Sequence, residues 1–333
     1  MMGGRDDSVD FAKGMLMLGI IYGHMVTALF GGGKHIQVWL HSVVRTYDLP
    51  FFMLLSGFFL QRSLMKNGCW STALNRIGMI GLPIVFWTLI RGHINVWGWA
   101  YYFLWAVFVC SLLCCLVRIL SSVLPLKFAK PAEWCLFLAI VTLLHLVYVP
   151  WNMFYLFPFF IVGFYLKDIK FEMPAKSLSI VTFLYVVGLC FWSGNYTPWR
   201  VGPFSWRDGI VYINVLRFMF ALVGIIVMSN LFKLLQRITV GSRFYEKTLN
   251  GGKETLGLYI LHVILISSVL AKGMKALYSR LDMTLGADLQ YCVAYVVAPL
   301  ASWYCFVGLT YLIRFIRSKS WLKWMFGLRL VAS

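Results

Sequence analysis

A lysine and a histidine, Lys13 and His24, lie eleven residues apart in the first apolar segment of the chain. At about 100° per residue, this spacing places both on one helix face, roughly 16 Å apart along the axis. Asp10 lies one turn before Lys13 on a similar face, where its carboxylate can pair with the ammonium group. An imidazole exchanges protons near neutral pH, and a lysine attracts anions. This face therefore carries groups suited to proton transfer and anion binding.

Two interpretations of the Lys13–His24 face are open. Polar groups within a membrane span usually face a water-filled cavity or a partner, which favours a polar channel. Alternatively, Lys13 snorkels to the membrane interface and His24 makes a hydrogen bond to a neighbouring helix. Because the two residues share one face, we favour the channel.

The composition indicates an integral membrane protein. Hydrophobic residues make up 61% of the 333 residues and charged residues 13%, whereas soluble domains are about 45–50% apolar and 25% charged. A net charge of +18 would suggest nucleic acid in a soluble chain, but here the basic residues collect in short loops between apolar segments, so we expect no nucleic-acid partner.

The eight cysteines show no metal-ligand spacing with histidine, so we expect no metal site. We also expect no cleavable signal peptide, because the first apolar segment is too long.

Lys13 and His24 must be positioned by helices that cross the bilayer. A crossing helix needs about 20 apolar residues, and the pattern predicts an all-α protein with about ten transmembrane helices. The predicted spans are 10–30, 43–64, 73–91, 97–120, 132–149, 151–168, 177–194, 210–235, 253–273 and 288–314. Asn250-Gly-Gly252 predicts a turn before the ninth span.

The distribution of lysine and arginine predicts the orientation. In the ten-helix arrangement, 20 of these residues lie on one side and 8 on the other, with Lys13 and Arg217 inside spans. The positive-inside rule makes the first side cytoplasmic, so both termini are expected there. We divide the chain into a transmembrane domain at 1–317 and a short basic C-terminal segment at 318–333, which is expected to lie at the membrane interface.

Several motifs, in order along nearly the whole chain, resemble the membrane-bound acyltransferase-3 family. Asp10, Lys13 and His24 match its first helix, where an arginine usually stands in place of Lys13. Further matches are DLPFFMLLSGFF at 48–59, Asn75-Arg76 with Pro83 and Trp87, WGWAYYFLW at 97–105, YLFPFFIVG at 155–163 and TLGLYILH at 255–262. The resemblance implies an enzyme that O-acylates sugars, with its helices around a central donor tunnel.

The resemblance implies acyl-CoA as the donor, most commonly acetyl-CoA, held on the cytoplasmic side. Lys13 with Asp10, Arg62, Arg76 and Ser56 form the expected donor-binding set, in which the cations attract phosphates. LLSGFF at 54–59 does not match a nucleophile elbow, and small residues in a span usually permit close helix packing.

His24 and His262 are the expected catalytic residues. His24 is the preferred general base, with direct transfer of the acyl group favoured over a transient acyl-imidazole. His262 is expected to line the tunnel or to orient His24 or the donor, with a structural hydrogen bond as the alternative. The expected acceptor-binding residues are Arg217, Tyr259, His41 and Arg45. A structural ion pair is the alternative for Arg217, and solvated loop positions are the alternative for His41 and Arg45, which share a helix face one turn apart.

The expected acceptor is a sugar hydroxyl of a surface polysaccharide, such as O-antigen, or of a lipid-linked glycan on the outer side of a bacterial inner membrane. Membrane lipids surround the protein. The main alternative is a transporter or flippase of a polar lipid or glycan precursor, although the two halves of the chain show no paired repeats. A purely structural subunit would give no reason for Lys13 and His24 to share a face.

Overall fold

A computed structural model describes residues 6–30, 39–90, 101–146, 153–166, 173–192, 211–270 and 291–327. Every regular element in these ranges is helical, as expected. We number the helices α1 (Asp7–Phe30), α2 (Trp39–Asn67), α3 (Cys69–Ile90), α4 (Tyr102–Ser122), α5 (Leu126–Leu146), α6 (Met153–Tyr165), α7 (Ala175–Cys190), α8 (Val211–Thr239), α9 (Arg243–Lys253), α10 (Thr255–His262, continued by Val263–Leu270), α11 (Val293–Ser318) and the 3₁₀ turn η1 (Ser320–Phe326).

Six helices within the described ranges are long and apolar enough to cross a membrane: α1, α2, α3, α4, α8 and α11. Three shorter helices are also apolar, at Tyr155–Tyr165, Ala175–Cys190 and Thr255–Ile266. Each of the ten predicted spans contains a helix. The chain is therefore an integral membrane protein, while the count of ten crossings and the side of each terminus stay predictions.

The chain forms two compact units. Unit 1 consists of Met1–Asp48, Phe171–Gly194 and Val223–Ser320, and unit 2 of Leu49–Lys170, Asn195–Leu222 and Trp321–Ser333. Helices α2 and α8 each begin in one unit and end in the other.

Within unit 1, α1 packs backbone to backbone against α9. A Cβ atom at Gly14 would collide with the Thr248 carbonyl group, and one at Gly252 would collide with the carbonyl oxygen of Asp10. The Phe11 ring stacks on Tyr245 with a centroid distance of 5.7 Å. Glycine at both positions therefore lets the two helices approach closely enough to fix α1 beside α9.

The prediction of a turn at Asn250-Gly-Gly252 is wrong, because these residues lie inside α9. Glycines usually weaken a helix, but here they permit contacts that larger residues would block. A Cβ at Gly251 would overlap the Phe306 ring of α11. The helix begins after Gly241, whose φ of 82° suits glycine, and Ser242 caps it by accepting a hydrogen bond from the Tyr245 amide at 3.2 Å.

Within unit 2, a second glycine seam joins α2 to α6. A Cβ at Gly57 would collide with the Phe160 carbonyl oxygen, and one at Gly163 would collide with Leu54. The expectation that small residues near Ser56 permit close helix packing is therefore confirmed for Gly57. A partly buried polar contact lies in the same unit, where Arg118 Nη1 pairs with the buried Glu133 at 3.4 Å and Tyr165 donates to the same carboxylate at 2.5 Å.

The C-terminal segment is partly buried. The indole nitrogen of Trp87 donates to the carbonyl oxygen of Met325 at 2.9 Å, and the Phe326 ring stacks on Trp87 with a centroid distance of 5.8 Å. Trp321 is exposed. Residues 321–327 thus have one side packed on α3 and another side available to lipid or water, and the interfacial location of the whole segment stays a prediction.

Within the described part of the chain, three helices contain π-helical segments, at Ile77–Gly81 in α3, Val263–Leu270 in α10 and Val293–Val297 in α11. Such segments are rare in proteins and are frequent at functional sites. Two of them follow directly after residues that the sequence analysis singled out, Arg76 and His262.

Candidate functional site

His24 and His262 lie side by side in unit 1, although 238 positions separate them in the chain. Their ring centroids are 5.1 Å apart, and the ring planes are inclined by 54°. His24 comes from α1, and His262 ends the α-helical part of α10. His262 is completely buried, whereas His24 is half-buried. The helices thus bring together the two residues that the sequence indicated as catalytic.

The His262 ring is held by a hydrogen bond to its own helix. Its Nδ1 atom lies 2.8 Å from the carbonyl oxygen of Leu258. A carbonyl oxygen only accepts hydrogen bonds, so Nδ1 carries a proton and Nε2 of the neutral ring has a free lone pair. Nε2 is buried and has no hydrogen-bond partner within the described ranges. His262 therefore presents a buried proton acceptor beside the His24 ring.

Arg45 and His41 are also joined, as their spacing on α2 predicts. Arg45 donates from Nε to Nε2 of His41 at 3.3 Å and from Nη1 to Asp48 Oδ2 at 3.1 Å. The Asp48 side chain is 1% exposed, and that of Arg45 is 10% exposed. The guanidinium group is therefore held from two sides in a largely buried position.

Gly23 makes room for the Arg45 guanidinium beside His24. A Cβ atom at this position would lie 3.0 Å from Nη2, 3.2 Å from Cζ and 3.3 Å from Nε of Arg45. The charge of Arg45 also interacts with both His24 and His262. The Tyr259 ring meets His262 edge-on with a centroid distance of 5.3 Å. We use the name histidine cluster for His24, His41, Arg45, Tyr259 and His262.

Asp10 and Lys13 form the ion pair that their spacing predicts. Lys13 Nζ lies 3.3 Å from Asp10 Oδ1, with the lysine half-buried and the carboxylate buried. Nearby in unit 1, Lys253 lies 3.9 Å from Asp7, and Arg317 lies 2.8 Å from Glu254. The N-terminal end of α1 is therefore a region of several charged groups, while the role of Lys13 in binding a donor stays a prediction.

The face of α1 between Lys13 and His24 carries Met17 and Ile20, which are each only 1% exposed. Both lie within about 40° of Lys13 around the helix axis. This strip is therefore packed with apolar side chains, and the described residues show no open polar channel along it. The donor tunnel stays a prediction.

The remaining predicted site residues lie in unit 2. Ser56 donates to the carbonyl oxygen of Phe52 at 2.8 Å. Arg62 is exposed, with its guanidinium carbon 4.3 Å from the centre of the Phe58 ring, and Arg76 ends the first α-helical part of α3. Arg217 is almost completely buried, with its guanidinium carbon 4.5 Å from the centre of the Tyr155 ring. The roles of these four residues stay predictions.

Sequence reasoning did not assign roles to Asp48 and Gly23. Asp48 belongs to the motif at 48–59, and it follows Arg45 by three residues, a spacing that would have indicated the ion pair. Gly23 gave no local signal, because its role depends on which helix packs against it. No group of three or more metal-ligating side chains is found within the described ranges.

Comparisons with known proteins agree with the sequence resemblance. A family model described as an acyltransferase domain, that of the acyltransferase-3 family, matches residues 6–316. The nodulation protein NolL of Mesorhizobium japonicum is 27% identical over 141 residues, which cover 35% of this chain and 36% of NolL. The match thus spans about a third of the length of this relative. No solved structure matches the chain.

Proposed function

Because the chain belongs to the acyltransferase-3 family, we propose that it is a membrane O-acyltransferase that uses acyl-CoA. In this proposal an acyl group, acetyl from acetyl-CoA, passes to a sugar hydroxyl of a surface polysaccharide such as O-antigen, or of a lipid-linked glycan. The observation that carries the proposal is the buried contact between His24 and His262, with Nε2 of His262 available as a proton acceptor.

Acyl transfer requires that a base remove the proton of the attacking hydroxyl group. His24 is half-buried, so it is the ring of the pair that solvent or a substrate reaches more readily. We therefore assign His24 as the general base. His262, completely buried and with its Nδ1–H fixed by Leu258, orients His24. An acyl group carried transiently on His24 is the alternative mechanism.

The donor is proposed to bind from the cytoplasmic side. Coenzyme A is polyanionic, and a lysine ammonium or arginine guanidinium binds phosphate oxygens by charge-assisted hydrogen bonds. Asp10 holds Lys13 near the start of α1, about 16 Å along the helix from His24. Arg62, Arg76 and Ser56 complete the proposed donor-binding set.

Because Met17 and Ile20 pack the face between Lys13 and His24, we propose that the donor reaches the histidine cluster only when these side chains move. Methionine has a flexible, unbranched side chain that adapts to new neighbours. An Ile20→Trp substitution is then expected to impair donor access more than Ile20→Val.

The acceptor is proposed to approach from the outer side of a bacterial inner membrane, with Tyr259, His41 and Arg217 contributing to its binding. Tyr259 and His41 adjoin the catalytic pair within unit 1. Arg217 lies in unit 2, so its proposed contact with the acceptor rests on its place as a charged residue within a predicted span.

The function is tested with the purified full-length protein in liposomes, supplied with acetyl-CoA labelled in the acetyl group and with envelope glycans as acceptor. We expect consumption of the thioester and label in the glycan fraction. Loss of a general base commonly costs 10²–10⁴-fold in rate, so His24→Ala is expected to lower the rate by at least about 100-fold. Unchanged thioester consumption in His24→Ala would contradict the assignment.

The matched control is Ser302→Ala. Ser302 is completely buried in unit 1 and donates only within its own helix, to the carbonyl oxygen of Ala298 at 2.6 Å. We expect this variant to keep nearly full activity.

The alternative function is a transporter, which would move a glycan precursor without consuming thioester. This result in the wild type would refute the proposed function. Mass spectrometry of envelope glycans with and without the protein identifies the acceptor and the acyl mass.

A further inference from the structure

We propose that Arg45 is a catalytic residue whose Nη2 group donates hydrogen bonds to the carbonyl oxygen of the acyl thioester, while His41 and Asp48 position its guanidinium group. This inference rests on the proposed function and deepens it. It differs from the role that the sequence suggested, in which Arg45 contacts the sugar acceptor.

The first observation that supports the proposal is which nitrogen atoms of the Arg45 guanidinium group already donate hydrogen bonds within the protein. Nε donates to His41 Nε2 at 3.3 Å, and Nη1 donates to Asp48 Oδ2 at 3.1 Å. Nη2 has no hydrogen-bond partner within the described ranges. A guanidinium group has five N–H donors in a fixed planar arrangement. Two contacts on the Nε and Nη1 atoms thus fix the plane and leave Nη2 to meet a substrate atom.

The second support is location. Nη2 lies beside Gly23, the residue that precedes His24, at 3.0 Å from the position of a Cβ atom there. The charge of Arg45 interacts with both His24 and His262. A carbonyl group attacked by a hydroxyl beside His24 would therefore be close to a positively charged donor.

The third support is the largely buried position of this charge, since the Arg45 side chain is only 10% exposed. Donors held in advance in a water-poor site stabilise a developing negative charge far better than donors in water. The Asp48 carboxylate, 1% exposed, compensates the arginine charge before the substrate binds.

The reaction step can be written with these groups. The sugar hydroxyl oxygen attacks the thioester carbon and forms a C–O bond, while its proton passes to the imidazole of His24. The carbonyl π electrons move to oxygen, which then accepts hydrogen bonds from Arg45 Nη2. Collapse of this intermediate breaks the C–S bond, and the coenzyme A sulfur takes the proton from His24. No other reactant is required.

The experiment compares Arg45→Gln with the wild type in liposomes, using labelled acetyl-CoA and the glycan acceptor. Removing one oxyanion donor typically lowers kcat by 10²–10³-fold. We expect kcat to fall by about 100-fold or more, with KM for acetyl-CoA and KM for the glycan each changing less than about threefold. Hydrolysis of acetyl-CoA without glycan should fall in parallel, and added methylguanidinium should restore activity to Arg45→Ala.

A raised KM for the glycan with unchanged kcat and unchanged hydrolysis would overturn the inference and return Arg45 to acceptor binding. If Arg45→Gln keeps wild-type kcat, the inference fails while the proposed function stands. If the wild type itself consumes no thioester, the proposed function fails. Size-exclusion elution at the wild-type volume is required of each variant, and the methylguanidinium rescue separates lost chemistry from lost fold.

A second variant pair tests the position of the guanidinium without removing it. Gly23→Ala places a methyl group against Nη2, Cζ and Nε of Arg45, whereas Gly19→Ala, one turn earlier on α1, meets only Val44 Cγ1, at 3.2 Å. We expect Gly23→Ala to lower kcat by about tenfold or more and Gly19→Ala to leave it within about twofold. Equal effects of the two substitutions would contradict the proposed role of Arg45.

The positioning role of Asp48 is tested by a separate variant. Asp48→Asn keeps the size of the side chain but removes the negative charge that holds Nη1. We expect a lower kcat with little change in either KM, and a smaller loss than in Arg45→Gln because the guanidinium group is still present. A loss confined to protein yield, with wild-type kcat, would show that Asp48 is only structural.

Discussion

At the scale of single residues, the hydrogen bond from His262 to Leu258 decides which nitrogen can do chemistry. The carbonyl oxygen of Leu258 holds the proton on Nδ1, so the buried Nε2 is left as an acceptor beside His24. Arg45 is constrained in a similar way, because His41 and Asp48 occupy Nε and Nη1. In both residues a contact that has no part in the proposed reaction leaves one nitrogen available, and we propose that this nitrogen meets a reacting group.

We therefore predict that His262→Asn folds but loses most of its activity. An asparagine amide nitrogen reaches nearly the same place as Nδ1, so the bond to Leu258 is retained, while no atom replaces Nε2. We expect a wild-type apparent Tm and a rate lowered by about 100-fold. The comparison variant is His262→Gln, because the longer glutamine side chain can place its amide near the position of Nε2. Equal activity of His262→Asn and the wild type, measured as acetyl-CoA consumption, would show that Nε2 has no role.

At the scale of helices, glycines permit the closest contacts in each unit. In unit 1 they bring α1 against α9, and in unit 2 they bring α2 against α6. At both seams the backbones approach so closely at the glycines that a single methyl group has no space to enter. The α1–α9 seam fixes the helix that carries Lys13 and His24, and thereby the position of both.

We predict that Gly57→Ala destabilises the protein, because its Cβ would collide with the carbonyl oxygen of Phe160. Overpacking typically costs about 1–3 kcal/mol, so the apparent Tm in detergent should fall by roughly 5 °C. The matched control is Gly308→Ala in α11, where a Cβ would meet no atom within 4 Å. It should keep or raise Tm, since alanine favours helices by about 1 kcal/mol over glycine. Equal Tm values for the two variants would be evidence against the seam.

At the scale of the whole molecule, the proposed orientation places the donor in the cytoplasm and the acceptor outside. It rests on the uneven distribution of lysine and arginine between the two sides of the membrane. Twenty of these residues lie on one side of the predicted ten-helix arrangement and eight on the other. The orientation is unaffected by the packing details of either unit, because it depends on which loops are retained in the cytoplasm during insertion.

This orientation predicts the labelling of two exposed positions at opposite ends of α2. Trp39 is 51% exposed and Met65 is 79% exposed. In a cysteine-free background, Trp39→Cys should react with a membrane-impermeant maleimide added to intact spheroplasts. Met65→Cys should react only after permeabilisation. The reverse pattern would place the termini outside and would exclude donor binding at Lys13 from the cytoplasm.

The sequence predicts those features that depend on one helix. Lys13 and His24 share a face because α1 is unbroken, and the Asp10–Lys13 and His41–Arg45 contacts follow from spacing alone. The pairing of His24 with His262 was indicated only by resemblance, since hydropathy does not reveal which helices are neighbours. Gly23 and α9 were missed for the same reason: the role of their glycines depends on the helix packed against them, which the sequence does not reveal.

The π-helical segment that begins at Val263, directly after His262, has a consequence for the evolution of this site. A π turn holds one residue more than an α turn and so behaves as a single-residue insertion absorbed into the helix. Relatives that lack the extra residue should align without a gap up to this histidine and then with a gap of one. Deleting one residue from Val263–Leu270 should likewise convert the π turn into an α turn, leaving the rest of α10 near its present orientation while the imidazole stays anchored.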